Sequence, residues 1–265
     1  MTMERIPLSA AIITKHEEQA LPACLRSLAF VDEIVVVDCG STDRTVAIAG
    51  EFGCRVFVED WKGFGPQKNS AVAKCTHDWV LLVDADERVP PETQQAIREK
   101  LKTPSAAAYR LRMKHHIGGR WIRHAGAWPD WHIRLVDKTK GSFIRKTHEQ
   151  WIPRGQVGDL DAHLEHFAFA GYSDLLKSLD EYSTILAGDL FVAGRRANSL
   201  TPISHGIAMF LKVYVLQRAC LSGMDGLVSA LTRAGGSFFK YAKLLELQRT
   251  TRTGVERSRD DESPT

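Results

Sequence analysis

The sequence has few cysteines, and their spacing excludes the common cysteine-based scaffolds. There are five among 265 residues, an odd number, and no two are separated by only two residues. A disulfide framework or a zinc knuckle needs paired cysteines at characteristic spacing. We therefore expect free thiols and a reducing, cytoplasmic environment.

Long apolar runs are also missing. No segment approaches the roughly 18 consecutive apolar residues that a membrane-spanning helix needs. The first residues, 1–7, lack the apolar stretch of a signal peptide. A hydrophobic content of 44% with 25% charged residues excludes global disorder and predicts a packed core. The length suits one α/β domain with a helical appendage.

The first hundred residues alternate between strand and helix patterns. The predicted strands span 8–14, 33–38, 55–58 and 79–83, and the predicted helices span 17–30, 45–52, 67–74 and 91–101. Strands that are continuously apolar, with helices between them, predict a mostly parallel sheet with helices on both faces. Ligands of such sheets bind beyond the carboxyl ends of the strands, where Thr14, Asp38, Asp84 and Asp86 stand.

The remainder of the chain changes character twice. Residues 109–169 are rich in Trp, His and Arg and are interpreted as strands and long loops that close the site. Helical spacing follows, with predicted helices at 174–192, 203–221 and 227–248. The expected organisation is a catalytic domain over 1–170, a helical region over 171–249, and a polar, disordered tail over 250–265.

Asp84 and Asp86 stand one residue apart, directly after the apolar run 79–83. Carboxylates in this position can point into one cavity and hold a divalent cation. Such a cation is typically bound by protein carboxylates together with oxygens of the substrate phosphates. The same acidic residues could instead favour the N-terminus of the helix that follows Pro90 and Pro91. This motif alone is compatible with either a metal site or a capped turn.

Asp38 is followed by Cys-Gly-Ser-Thr-Asp, which predicts a tight turn from a strand into a helix. A carboxylate at that point can accept hydrogen bonds from a nucleobase or a ribose. Ser41, Thr42 or Asp43 can also cap the helix. The two interpretations are compatible.

In order along the chain, four segments resemble the family 2 glycosyltransferases, which have the GT-A nucleotide-diphospho-sugar transferase fold. They are IITKHEE (12–18), VVVDCGSTDRT (35–45), QKNSAV (67–72) and LLVDADE (81–87). Later segments resemble the lipopolysaccharide core glucosyltransferase subgroup, which adds a β-linked glucose to the inner-core heptose. They are WPDWHIRLVDK (128–138), KTHEQW (146–151), EHFAF (165–169), GMDGLVSAL (223–231) and FFKYAKLLE (238–246). His16 departs from this subgroup, which usually has Asn there.

The resemblance implies roles for individual residues. Asp38 resembles the residue that binds uracil or ribose, and Glu17 resembles an acidic residue beside the base pocket. Asp86 resembles the direct ligand of a Mg²⁺ or Mn²⁺ ion, Asp84 contacts ribose and metal, and His166 is a candidate late metal ligand. Lys68 could meet a phosphate or lie on a solvated helix face. The substrate-binding residues expected together are Thr14, Glu17, Asp38, Lys68, Asp84, Arg134 and His148.

An inverting transfer is a single displacement, and it needs one carboxylate to take the proton of the acceptor hydroxyl. With the Asp84–Asp86 pair engaged by metal, a separate acidic residue is required downstream. Glu149 is the first choice for this base and Asp130 is the second. An ion pair of Glu149 with Arg145 or Lys146 is the structural alternative.

The net charge is only +3, but the basic residues are concentrated. Residues 110–154 hold eleven Lys or Arg against three Asp or Glu, and residues 190–252 hold nine against two. Basic regions indicate anionic partners, here a nucleoside diphosphate, a phosphorylated core oligosaccharide and anionic lipid headgroups. No nucleic-acid-binding motif is present. The helices predicted at 203–221 and 227–248 are expected to hold the enzyme peripherally on the cytoplasmic face of a bacterial inner membrane, or to form a homo-oligomer contact.

Three rival functions can be weighed. A nucleotidyltransferase would be expected to show a glycine-rich, basic loop after the first strand, and residues 14–21 (TKHEEQAL) contain no glycine. A non-catalytic sugar-nucleotide-binding scaffold is disfavoured by the intact acidic residues. The same chemistry on a peptide or another lipid-linked glycan stays open. The donor UDP-glucose is implied by the resemblance alone.

Overall fold

The computed structural model of the protein describes residues 6–144 and 150–260, with side chains as far as Thr250. The chain divides into two units. The first contains Met1–His115 and Pro129–Ala168, and the second contains His116–Trp128 and Phe169–Thr265. The division after Ala168 lies close to the expected boundary at residue 170. The segment His116–Trp128, expected in the catalytic domain, belongs to the second unit.

The first unit is built on a mixed sheet. Its strands are β1 (Leu8–Thr14), β2 (Glu33–Asp38), β3 (Arg55–Val58), β4 (Trp79–Leu82), β5 (Glu87–Arg88), β6 (Ala108–Ile117), β8 (Trp131–Asp137) and β11 (Val157–Phe169). Their order is β3-β2-β1-β4-β8-β6-β11-β5. The four strands β3, β2, β1 and β4 are parallel, whereas β8 runs antiparallel to both β4 and β6. The expected α/β class is therefore correct, and the later strands make the sheet mixed.

The side chains of β1 alternate between two buried clusters, which shows that the sheet is covered on both faces. Leu8, Ala10 and Ile12 belong to one buried cluster, and Ala11 belongs to a second. Successive side chains of a strand point to opposite faces, so a strand buried throughout must have a packing layer on each side. The covering helices of this unit are α1 (Leu21–Ser27), α2 (Thr45–Glu51), α3 (Phe64–Lys74) and α4 (Pro91–Lys102).

In the first unit, two helices begin away from their predicted starts. α1 begins at Leu21 rather than residue 17, because His16 has a left-handed φ of +57° and residues 18–20 form a turn. α3 begins at Phe64, three residues early, directly after Gly63 with φ +95°. Pro66 falls in the first turn, where a helix does not need the missing amide hydrogen.

A small hairpin completes the first unit. It pairs β9 (Gly141–Ile144) with β10 (Gln150–Pro153) in antiparallel register. The predicted residues His148 and Glu149, with Arg145 and Lys146, lie between these strands and outside the described residues. Their assignments stay predictions.

The second unit is helical, with a short strand β7 (Arg120–Trp121) paired to the end of β6. Its helices are α5 (Tyr172–Val192), α6 (Thr201–Leu211) and α7 (Gly223–Asp260). The helix predicted over 203–221 is interrupted: residues 212–216 form a π-helix and Arg218 has a left-handed φ of +56°. The carbonyl of Gln217 accepts a hydrogen bond from the Ala125 amide at 2.9 Å, which draws the chain out of helical geometry.

The last helix is longer than predicted. α7 continues to Asp260, where a disordered tail is expected from residue 250. Arg and Glu are good helix formers, and no proline occurs between residue 223 and Pro264, so no proline stops the helix. In the part of the chain that the structure describes, no single helix is long and apolar enough to cross a membrane. Thr201–Leu216 and Ala219–Thr250 meet that criterion only as a pair bent by 67°.

Candidate active site

The carboxyl ends of the parallel strands bring the predicted site residues to one edge of the sheet. Thr14 pairs with Asp38 in the register of β1 and β2, and Ala11 pairs with Leu82 in that of β1 and β4. Asp84 therefore follows β4 at the level where β1 and β2 end. This is the edge at which open α/β sheets bind ligands.

Asp38 is fully buried and holds its own turn together. One carboxylate oxygen accepts from the amides of Gly40 at 2.9 Å and Ser41 at 2.7 Å, and the other accepts from the hydroxyls of Thr14 and Ser41 at 2.9 and 2.5 Å. A carboxylate has about four acceptor positions, so all of them are occupied. Gly40 has φ +81°, a conformation that glycine adopts without a steric penalty.

The N-cap residue of α2 is Arg44, which makes no side-chain cap, rather than the expected Ser41, Thr42 or Asp43; Asp43 instead binds the first residue of the helix. Asp43 accepts from the Thr45 amide at 3.0 Å and from the Thr45 hydroxyl. The same turn also holds the segment after β1, because the His16 amide donates to the Ser41 hydroxyl oxygen and the Glu17 amide donates to the Thr45 hydroxyl oxygen, both at 2.8 Å. The two loops at the ends of β1 and β2 are thus one hydrogen-bonded unit.

Glu17 occupies an acidic environment. Its carboxyl group is half-buried, and no hydrogen bond or ion pair to it occurs among the described residues. Burial, with Asp86, Asp43 and Asp84 nearby, raises the pKa of Glu17 to about 7, although Arg88 opposes the shift. A carboxyl group with such a pKa near the carboxyl ends of the parallel strands is typical of a functional site.

Asp84 lies between two cations. Lys68 Nζ is 3.0 Å from its Oδ1, and Arg134 Nη2 is 3.1 Å from its Oδ2. Burial alone would raise the pKa of Asp84, but Arg134 and Lys68 hold it well below the usual range. Lys68 is 14% exposed, so it faces the site rather than forming a solvated helix surface.

Glu87, which the sequence analysis left without a role, completes this cluster. Its fully buried carboxylate pairs with Arg134 and accepts from the Asp84 amide at 3.0 Å. Burial and the neighbouring Asp84 raise the pKa of Glu87, and Arg134 opposes them. Arg134 therefore joins both carboxylates of the turn after β4 to strand β8.

Asp86 begins a chain of polar contacts that extends away from this cluster. Its Oδ2 is 3.0 Å from His166 Nε2, and His166 Nδ1 is 3.0 Å from His115 Nδ1. His115 Nε2 is 2.9 Å from Oδ2 of Asp130, and His132 Nε2 is 2.9 Å from the same oxygen. The structure therefore brings the predicted residues Asp86, His166 and Asp130 into one chain.

The charges of this chain follow from its contacts. Burial works against the charged ring of His166, but the hydrogen bond that the ring donates to Asp86 raises the pKa of the imidazole. Hydrogen bonds from His115 and His132 hold the pKa of Asp130 well below its usual range. A carboxylate with a lowered pKa is a weaker proton acceptor, which counts against Asp130 as the general base.

Glu87, His115 and His132 were not predicted from the sequence as site residues. One signal was available for His132: Asp130, His132 and Arg134 alternate along the chain, so their side chains share one face of a strand. No comparable signal places His115, because its partner His166 is 51 residues away on another strand.

Comparison with known proteins identifies the family of the chain. The family model of glycosyl transferase family 2 matches residues 9–173. The chain belongs to this family. It is 29% identical to the lipopolysaccharide core biosynthesis glycosyltransferase LpsC of Rhizobium meliloti, over 91% of this chain and 93% of that protein. An uncharacterized glycosyltransferase of Rickettsia typhi is 30% identical over 94% of this chain and 90% of its own length.

Among solved structures, Staphylococcus aureus TarS (residues 1–349) in complex with UDP-GlcNAc is similar, with a TM-score of 0.47 and 17% identity over 92% of both chains. The match to the family model confirms the expected family and fold class: the chain is a glycosyltransferase of family 2, with a GT-A architecture and a C-terminal helical region. It is related to an enzyme of lipopolysaccharide core biosynthesis.

Proposed function

We propose that this enzyme transfers glucose from UDP-glucose to the inner core of lipopolysaccharide with inversion at the anomeric carbon. The observation that carries the proposal is the arrangement after β4, where Asp84 lies between the cations Lys68 and Arg134 and Asp86 contacts His166, at the edge of the sheet where ligands bind. The relationship to LpsC, which covers 93% of that protein, supports the lipopolysaccharide acceptor.

The donor would lie across the ends of β1, β2 and β4. Lys68 and Arg134 supply positive charge for the diphosphate, and the turn after Asp38 lies where the uridine would bind. Since all acceptor positions of Asp38 are occupied by Thr14, Gly40 and Ser41, Asp38 would act by shaping this turn, or would exchange one of these bonds for the nucleotide.

A divalent metal fits a two-residue donor set here. In the described residues no three His, Cys, Asp or Glu side chains are grouped to hold an ion by themselves. Asp86 Oδ2 and His166 Nε2 are 3.0 Å apart, the separation of adjacent ligands around an octahedral ion with bonds of about 2.1 Å. Magnesium usually takes few protein ligands and completes its shell with water and substrate phosphates. Asp86 and His166 would hold the ion, while both oxygens of Asp84 already face cations.

When bound, the metal supplies positive charge that stabilises the leaving diphosphate. The acceptor hydroxyl oxygen forms a bond to the anomeric carbon as the bond to the diphosphate oxygen breaks. Glu149 is the proposed base and takes the hydroxyl proton, and UDP leaves. Asp130 is the less favourable base, because two histidines already donate to its Oδ2.

The enzyme is also proposed to attach to the cytoplasmic face of the inner membrane through α6. Ile203, Ile207 and Leu211 of α6, with Val215 of the π-helix that follows, recur every fourth residue and are each about half exposed, between 49% and 57%. Such spacing forms an apolar row along one side of a helix. Lys212 and Arg218 are close to these residues in the sequence, a composition suited to an anionic bilayer surface.

The decisive experiment is a panel of nucleotide sugars incubated with purified acceptor core, with and without EDTA. UDP-glucose should be the preferred donor, and EDTA or Asp86→Ala should abolish transfer. Asp159→Ala is the matched control, because this carboxylate pairs with Arg110 on an exposed surface. Full activity in EDTA would refute the metal. UDP binding without transfer to any acceptor would favour a scaffold, and turnover only with a peptide or another lipid-linked glycan would reassign the acceptor.

A further inference from the structure

Four side chains from different parts of the first unit form one continuous line of contacts. The line runs from Asp86, after β4, through His166 on β11 and His115 on β6 to Asp130, before β8. The three successive distances are 3.0, 3.0 and 2.9 Å. The two imidazole rings meet edge to face, with centroids 5.1 Å apart.

Asp130, at the far end of the line, determines which atom donates in each of these hydrogen bonds. An ionised carboxylate can only accept, so His115 donates to Asp130 through Nε2. In neutral His115 the other nitrogen, Nδ1, is then an acceptor and faces His166 Nδ1. His166 therefore donates through Nδ1, which leaves the lone pair of its Nε2 directed at Asp86.

That outcome has a consequence for Asp86. In neutral His166 the Nε2 lone pair faces the carboxylate oxygen of Asp86 at 3.0 Å. Without a metal, a proton on Nε2 joins the two atoms by a hydrogen bond, and a divalent cation that takes both atoms as ligands would replace that proton. The contacts therefore select the imidazole tautomer that a metal ligand needs, and metal-binding histidines commonly have their second nitrogen fixed by such a partner.

We propose that His115 and Asp130 are positioning residues, which fix the ring and tautomer of His166 so that Nε2 is available as a ligand beside Asp86. The inference rests on the metal site of the proposed function. It gives Asp130 a role other than that of the general base.

Asp130 is itself held in place. Its backbone carbonyl accepts from the Met113 amide at 2.8 Å, and His132 donates to the same Oδ2 that His115 uses. These anchors restrain the carboxylate against β6 and β8. The side chains of His115, Asp130 and His132 are 31%, 39% and 47% exposed. Ion pairs at such exposure contribute little to stability, so a purely structural role does not account for the arrangement.

The test uses Asp130→Asn in the full-length protein, which keeps the size of the side chain and removes its charge. Mn²⁺ affinity is measured by the electron paramagnetic resonance of free Mn²⁺, at saturating UDP. We expect the affinity to fall about 10- to 100-fold, as for other outer partners of metal ligands. UDP affinity without metal and the melting temperature should stay at wild-type values. Asp161→Asn, at an exposed carboxylate paired with Arg112, is the matched control and should bind Mn²⁺ normally.

A second pair of variants tests His115. His115→Gln retains an acceptor for His166 and should keep part of the affinity, whereas His115→Leu should lose it. The tautomer of His166 is read directly from long-range ¹H–¹⁵N spectra of the Mg²⁺-loaded protein. We expect the Nδ1–H form in the wild type and a mixture of forms in Asp130→Asn.

The outcomes separate this inference from the metal site itself. If wild-type protein binds no Mn²⁺ in the presence of UDP, the metal assignment fails and this inference fails with it. If wild-type protein binds Mn²⁺ and Asp130→Asn binds it equally well with an unchanged His166 tautomer, the positioning role is overturned while the metal site stands.

Discussion

Arg134 and Asp84 are joined across the site, with Nη2 of the arginine 3.1 Å from Oδ2 of the aspartate. The same guanidinium group pairs with Glu87, whose side chain is 1% exposed. One buried cation thus neutralises two carboxylates that follow the same strand. The pairing fixes the orientation of the Asp84 carboxylate. Its Oδ2 contacts Arg134, and its other oxygen, Oδ1, faces Lys68.

Removing this cation should destabilise the protein. Arg134→Met would leave the buried Glu87 without its counter-ion, so that it either stays ionised or takes up a proton at the expense of its pairing; breaking a buried pair in this way costs up to about 3–5 kcal/mol. Urea denaturation should show that loss in the free energy of unfolding. Adding Glu87→Gln removes the uncompensated charge and keeps an acceptor for the Asp84 amide, so the double variant should recover part of the stability. A single variant as stable as wild type would show that the pair is unimportant for folding.

Asp38→Ala should weaken both folding and UDP binding. The substitution leaves the amides of Gly40 and Ser41 without their acceptor, at a cost of about 1–3 kcal/mol. UDP affinity, measured by calorimetry, should fall because the turn loses its shape. Ser41→Ala removes a single hydroxyl from the same turn and should cost less in both measurements. An unchanged dissociation constant for UDP in folded Asp38→Ala would remove Asp38 from the nucleotide site.

The raised pKa of Glu17 predicts a pH dependence of stability. The pKa is about 7 in the folded protein against a reference of 4.5, so between these values the folded state binds a proton that the unfolded state does not. Stability therefore falls as pH rises through that window. The contribution of protonated Glu17 is fully present below about pH 4.5 and is lost as pH passes 7.

The measurement is urea denaturation of wild type and Glu17→Gln at several pH values between 4.5 and 8. The stability of the variant relative to wild type should increase with pH and level off above pH 7. Glu18→Gln removes one charge from the same segment and should keep the wild-type slope. Parallel curves for wild type and Glu17→Gln would contradict the raised pKa.

Glu149→Gln should abolish transfer and spare donor binding. The amide keeps the size of the side chain but cannot take a proton, and general-base catalysis contributes about 10²–10⁴ in rate. Asp130→Asn should instead lose activity at low Mn²⁺ and recover at saturating Mn²⁺. The two variants are compared by turnover across a Mn²⁺ titration. Near-normal turnover in Glu149→Gln, with an Asp130→Asn defect that Mn²⁺ does not repair, would make Asp130 the base.

The parallel half of the sheet is predicted well from the sequence, because each of its strands can be identified from its own residue pattern. Strands β1 to β4 are continuous apolar runs bounded by turn residues, and their observed limits lie within one residue of the predicted ones. Their carboxyl ends therefore carry Thr14, Asp38 and Asp84 to one edge, as expected from parallel pairing alone.

Contacts between distant strands could not be predicted in the same way. Glu87 meets Arg134, and His115 meets His166, through the pairing of strands whose register depends on packing rather than on local spacing. The break at Arg218 has a similar cause, because the Gln217 carbonyl bonds to a segment some ninety residues earlier in the chain. Local periodicity predicts an uninterrupted helix there, since it does not include this bond.

The apolar row of α6 predicts binding to anionic vesicles. Placing a charge in the row, as in Ile207→Glu, should reduce flotation with liposomes rich in anionic lipid, because a buried apolar face and basic flanks are both needed for interfacial binding. Val192→Glu is the matched control, since Val192 is 87% exposed at the end of α5 and outside the row. Raising the salt concentration should weaken flotation of wild type by screening its basic groups. If wild type does not float at any salt concentration, and Ile207→Glu instead dissociates a dimer in light scattering, the row is a contact between subunits.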